Sequence, residues 1–225
     1  MPTSGIFPLK ISIKNEEVHL LPSGAIFLPA HQTLLIADAH FGKASSFRQL
    51  GIPVPSGTTQ ETLSDITRDL ASTQATHLIF LGDFLHSKHA HAAATQDVLA
   101  AWRAKRADLS ITLVRGNHDD RAGDPPLALG ISVVDEPMQL GALALCHHPQ
   151  KIENHYVLAG HLHPCITLQG KGRDKLRLPC FWMGNEIEHP CGILPAYGSF
   201  TGMHPIERRE LDAVYAIAGD VVRLV

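Results

Sequence analysis

Histidine stands out in this sequence, with 15 in 225 residues. Many of these histidines sit in short polar clusters with Asp or Asn. Five clusters occur in order: Asp38-Ala39-His40, Gly82-Asp83, Gly116-Asn117-His118-Asp119, His147-His148 and Gly160-His161-Leu162-His163. Carboxylate, neutral imidazole and an amide carbonyl suit borderline and hard divalent cations such as Mn2+, Fe2+ or Zn2+. The chemistry they point to is therefore metal-ion chemistry. Thiolate is missing from the set. Cys146, Cys165, Cys180 and Cys191 form no CxxC motif, which excludes a zinc knuckle or a thioredoxin-like redox site.

The clusters need elements to position them. Each follows an apolar run that reads as a strand: Leu34–Ala37, His77–Leu81, Ile111–Val114, Ala142–Cys146 and Tyr156–Ala159. Ligand sites in α/β sheets form outside the carboxyl ends of strands, so five clusters at such ends are expected to share one site. Asp38 and His40 stand two apart, as do His161 and His163. On an extended segment each pair points to one side. Gly82, Gly116 and Gly160 are expected to let the chain turn sharply after each strand. The first half alternates strand and helix. Short strands fill 11–36, 40–57 reads as a loop, and helices are expected over Thr58–Ser72 and Ala92–Arg106. Thr58 and Glu61 stand at capping-box spacing. The second half is mostly strand, with further runs at Ile131–Val134, Met138–Leu140, Ile166–Leu168, Leu176–Leu178, Ile193–Pro195, Val214–Ile217 and Val221–Leu224. Two sheets packed face to face, with helices outside, satisfy this pattern.

At 44% hydrophobic and 18% charged residues the chain can bury a sizeable core. The formal charge of −3 gives no strong basic field, although bound dications would add positive charge where a phosphate sits. Met1 to Lys14 lack the pattern of a signal peptide. No apolar run reaches the ~18 residues that span a bilayer. A cytoplasmic protein without membrane contact is expected. With no internal repeat and no linker, residues 1–225 read as a single domain.

The five motifs in this order resemble the signature of the calcineurin-like metallophosphoesterases, from Asp38 to His163. The resemblance implies a four-layer α/β/β/α sandwich of two mixed sheets flanked by helices, with two metals at its edge. Asp38, His40, Asp83 and His163 would hold the first metal. Asp83, Asn117, His147 and His161 would hold the second, so Asp83 bridges. A bridging hydroxide would attack phosphorus in line. His118 would assist the leaving oxygen, and Asp119 would orient His118. Arg115, His148, Lys43, Arg48 and His86 are candidates for substrate contact, and His89 and His91 follow at the lip of the site. Phe41, Phe84, Phe181, Trp182 and Trp102 read as packing residues.

Longer stretches narrow the resemblance. Asp38-Ala39-His40-Phe41-Gly42-Lys43-Ala44, Phe47-Arg48, Gly51–Thr59, Leu81–Ser87, Leu158–Pro164 and Pro195–Gly202 are similar to the ligase-associated DNA damage response phosphoesterases, the PdeM family. That family usually reads Asp-Leu-His where this chain has Asp38-Ala39-His40, and the middle residue is no ligand. The resemblance implies a manganese-dependent endonuclease acting on single-stranded DNA in bacterial repair. It implies a functional link to a helicase, an ATP-dependent DNA ligase and an exonuclease. The same metal chemistry would also serve a small-molecule phosphodiesterase or a protein phosphatase. A non-catalytic repair adaptor is the remote alternative.

Overall fold

The computed structural model describes residues 7–54, 56–88, 92–170, 172 and 174–225. Its first sheet runs in sequence order: β1 (Leu9–Ile13), β2 (Glu16–Leu20), β3 (Ile26–Leu28), β4 (Thr33–Ala37), β5 (His77–Leu81), β6 (Ser110–Val114) and β7 (Ser132–Val134). β1 to β4 pair antiparallel, whereas β4 to β7 are parallel. The parallel crossovers carry α1 (Lys43–Gln49), α2 (Thr58–Thr73), α3 (Ala93–Ala104) and α4 (Asn117–Ala122).

The second sheet contains β8 (Met138–Leu140), β9 (Leu143–Leu145), β10 (Tyr156–Ala159), β11 (Pro164–Gln169), β12 (Lys175–Met183), β13 (Cys191–Ile193), β14 (His204–Pro205), β15 (Ala213–Ala218) and β16 (Val221–Leu224). Its order is β14-β11-β12-β13-β10-β9-β8, with β15 and β16 added beside β12. β9, β10 and β13 are parallel neighbours.

Strand alternation divides the core. Leu35, Ala37, Ile79 and Leu81 meet Leu145, Tyr156, Leu158 and Phe181 between the sheets. Leu34, Ile36, Leu78 and Phe80 face the other way and meet Leu63 and Ile66 of α2 and Leu99 of α3. Burial on both faces explains why β4 and β5 read as unbroken apolar runs. The chain is thus the expected α/β sandwich of two mixed sheets with helices. On the outer side of the second sheet, Ala144, Cys146, Val157 and Ala159 are covered by Ile152 from a connecting segment. No described helix is long and apolar enough to cross a membrane.

Several local expectations change. The segment 40–57 contains α1, whose polar sequence hides it. Its Ser46 hydroxyl reaches the Gly42 carbonyl at 3.1 Å and the Ser87 hydroxyl at 2.9 Å. Thr58 and Glu61 form no capping box. Gly57, with φ 88°, precedes the helix as its cap, and Thr58 instead accepts a hydrogen bond from the Thr62 hydroxyl at 3.0 Å. β12 is nine residues long rather than three, because it spans from β11 at one end to β13 and β15 at the other. Trp102 ties α3 to α2 through a 3.1 Å hydrogen bond from its indole to Thr67. Pro55, His89 and His91 lie outside the described residues.

Candidate metal centre

The carboxyl ends of two sets of parallel strands meet at one edge of the sandwich. Asp38 follows β4, Asp83 follows β5, and Asn117 follows β6; His147 follows β9, and His161 follows β10. The sheets are stitched together here. The His161 amide donates to Asp38 Oδ2 at 2.9 Å, and the His147 Nδ1 lies 3.1 Å from the Leu81 carbonyl. Tyr197 N donates to the Ala37 carbonyl at 2.9 Å, bringing 197–201 alongside.

The clustered residues are not extended, as the sequence spacing suggested. Asp38, His40, Asp83, His161 and His163 have φ of 55°, 46°, 51°, 70° and 48°. A non-glycine residue in this left-handed region costs of order 1–3 kcal/mol, and such residues concentrate at functional sites. The curled backbone also separates His161 from His163. His163 Nε2 approaches Asp38 Oδ1 at 3.4 Å, whereas His161 Nδ1 approaches His147 Nε2 at 3.0 Å.

Among the described residues four overlapping groups of ligand atoms result, two of them built on Asp38. Asp38, His40 and His163 bring one atom each within 4.8 Å of one another, and Asp38, Asp83 and His147 do the same. Asp38 belongs to both of these groups, and Asp83 stands between His40 and His147. Its Oδ2 is 3.7 Å from His40 Nε2, and its Oδ1 is 3.5 Å from His147 Nε2. The Asn117 side-chain oxygen lies 2.9 Å from that same His147 nitrogen. Asp38 and His147 are fully buried, and Asp83 and His40 are nearly so.

The donor set fits divalent cations. Asp38 Oδ1 and His163 Nε2 are both buried and have no hydrogen-bond partner, an arrangement that calls for an ion. Burial pushes the His40 pKa down to about 2, with Lys43 next in effect, so its imidazole stays neutral and ligand-competent. His161 is held below its usual range by burial and then by His147.

Close approach explains all three glycines, and a Cβ on Gly82 would sit 2.1 Å from His147 Nδ1. Gly82 does take a left-handed φ of 76°. A Cβ on Gly116 would sit 2.6 Å from Asp83 Oδ1, and one on Gly160 would sit 2.6 Å from Asp38 Oδ2. The bare Cα at these positions lets the carboxylates seat. Gly160→Ala is therefore expected to weaken divalent-cation binding and to cost about 1–3 kcal/mol of stability. Calorimetric titration and urea unfolding check this; wild-type affinity in the variant would contradict it.

His118 sits on the rim. Its Nδ1 lies 2.7 Å from the His86 carbonyl, and its Nε2 is 3.8 Å from Asp83 Oδ2. Asp119 does not touch the ring, contrary to its expected role. It occupies the third position of α4, so its carboxylate folds back onto the Gly116 amide at 3.0 Å and also accepts from Leu85 N at 3.2 Å. Burial raises its pKa to about 6. Asp119 thus braces the 85–86 segment whose carbonyl holds His118.

The candidate substrate contacts separate. His86 stacks on His118 with centroids 5.1 Å apart at 22°, and burial, followed by Lys43, lowers its pKa to about 4. Lys43 lines a cleft beside His40. Arg48 lies further out, in a cleft with Gly57 and Thr58. His148 belongs to the site, with its ring 4.6 Å from those of both His147 and His161. Arg115 does not reach it: its guanidinium pairs with Asp124 at 3.0 Å and with Asp135.

Glu136 also belongs to the site. Its Oε2 accepts from the His147 and His148 amides at 2.7 and 2.9 Å, and its Oε1 lies 2.7 Å from His148 Nδ1. Burial would raise its pKa, but these hydrogen bonds outweigh it and hold the group below the usual range. A lone Glu before a proline carries no sequence signal for this.

Comparison with known proteins agrees with this geometry. The family model described as calcineurin-like phosphoesterase matches residues 31–160. The crystal structure of Pseudomonas putida nuclease MPE superposes with a TM-score of 0.84 at 41% identity, covering 97% of this chain and 100% of that one. A protein of unknown function from Aquifex aeolicus gives a TM-score of 0.41 at 20% identity, covering 63% and 82%. The E. coli phosphoesterase Yfce gives 0.39 at 15%, covering 86% and 91%. No curated protein sequence matches. The family model over residues 31–160 and the 41%-identical nuclease structure show the family: the chain belongs to the calcineurin-like phosphoesterases and is a phosphoester hydrolase.

Proposed function

We propose that the chain is a manganese-dependent phosphodiesterase that cuts single-stranded DNA internally. The observation that carries the binuclear part is Asp83, whose two oxygens face His147 at 3.5 Å and His40 at 3.7 Å. Likeness to a Pseudomonas putida nuclease supports nucleic acid as substrate. In this reading Asp38, His40, Asp83 and His163 hold one cation, and Asp83, Asn117, His147 and His161 hold the other. Two divalent cations, when bound, supply a water acidified toward neutrality and neutralise charge on the phosphate oxygens. The thiolate-free donor set accepts Mn2+, Fe2+ or Zn2+, and the resemblance to the repair branch favours Mn2+.

The chain's own residues do the rest. His118 keeps its Nδ1–H on the His86 carbonyl, which leaves Nε2 facing the site. A proton on Nε2 passes to the leaving oxygen as its bond to phosphorus breaks. The neutral ring that results still donates from Nδ1, so its orientation survives the transfer. His148, oriented by Glu136, faces the second cation position and contacts a phosphate oxygen. The core shared by both sheets supports reading residues 1–225 as one domain. The four free cysteines suit a reducing cytoplasm. The resemblance to the repair branch suggests work beside a helicase, an ATP-dependent ligase and an exonuclease.

The test is closed circular single-stranded DNA with Mn2+. Linearisation by wild type, absent without metal, is expected. An intact circle beside turnover of a small diester would move the substrate to small molecules or phosphoproteins.

A further inference from the structure

Phe41, Phe80, Phe84 and Phe181 are buried. Phe47 and Phe200 are not: both remain partly exposed, and neither belongs to a core cluster. Their rings meet edge to face with centroids 5.9 Å apart. Phe47 in turn lies 6.0 Å from the His86 ring at 30°. His86 stacks on His118, and His118 meets the His40 ring at 5.0 Å. A row of rings therefore leads outward from the cation ligands: His40, His118, His86, Phe47 and Phe200.

A narrow cleft of about 10 Å³ opens beside this row, lined in part by His40, Lys43, Phe200 and Thr201. The Thr201 hydroxyl is buried with no hydrogen-bond partner. Lys43, which also lines the cleft, lies in the field of Asp38 and Asp83. An ammonium and an unpartnered hydroxyl suit a phosphate oxygen, and partly exposed aromatic rings suit a base. The two stand next to each other, as they do along a nucleotide strand.

Resting on the single-strand DNA reading above, we propose that Phe47 and Phe200 form a base-stacking step. It seats the nucleotide beside the scissile phosphate, while Lys43 and Thr201 take the neighbouring backbone phosphate. Every base has a π face, so such a step grips a strand without reading its sequence. A base paired within a duplex cannot reach it, so the step also selects single strands.

The experiment uses a short strand with one native linkage between phosphorothioates. It is made with bases throughout, or with abasic residues flanking that linkage. Wild type is expected to cut the base-bearing strand roughly 5- to 150-fold faster in kcat/KM, the range that one stacked base supports. In Phe47→Leu and Phe200→Leu that ratio is expected to fall toward one, through KM more than kcat. A ratio near one in wild type, or equal losses on both strands in the variants, overturns the stacking step while leaving the nuclease intact. If wild type cuts neither strand yet hydrolyses a small diester, the DNA reading has failed and takes this inference with it.

Discussion

Asp83→Asn is expected to abolish phosphodiester hydrolysis in a chain that still folds. Asn keeps the shape of the side chain and one oxygen to accept from the His118 amide, a 2.9 Å bond in the native chain. It lacks the negative charge that lets one group serve two dications. A water no longer acidified from ~15.7 toward 7 costs on the order of 10⁴-fold or more in rate. In metal-free buffer the same variant should be at least as stable as wild type. Asp38 and Asp83 bring carboxylate oxygens within 4.8 Å of each other in a buried setting, and like charges there repel. Kinetics and thermal unfolding read both effects. Turnover near the wild-type level would remove Asp83 from its bridging position.

His118→Ala is expected to retain metal and lose ~10²–10⁴-fold in rate on DNA, the usual contribution of a positioned acid. The loss should shrink on a diester with a nitrophenolate leaving group, because that oxygen departs without a proton. A merely structural histidine would give equal losses on both substrates. Loss of metal in the variant would instead make His118 a ligand, in line with the short spacing among His40, His86 and His118 ring nitrogens.

The seven expected ligand positions are easy to pick out because each follows an apolar strand in a fixed order, and strand direction then brings them to one edge. The backbone that aims them is not. Left-handed residues such as Asp38 and His163 break no pattern in the sequence, so their spacing reads as extended. Asp119 differs from what the resemblance implies: one helical turn sends its carboxylate back to Gly116 rather than to His118. Arg115 illustrates the limit for surface cations, since Asp124 and Asp135 come from separate stretches of chain. Glu136, Phe47 and Phe200 act through contacts distant in sequence, which no local motif records. α1 carries no helical signal in the sequence because it is short and polar, and it is stabilised by Ser87 from another loop.

The central claim is that one buried carboxylate joins two cation positions. Metal analysis of wild type and Asp83→Asn after dialysis against limiting Mn2+ tests it most directly. Two equivalents of Mn2+ per wild-type chain are expected, with occupancy of both positions weakened in the variant. Two tightly held equivalents in the variant, or a fully active wild type holding only one, would contradict the shared-carboxylate centre.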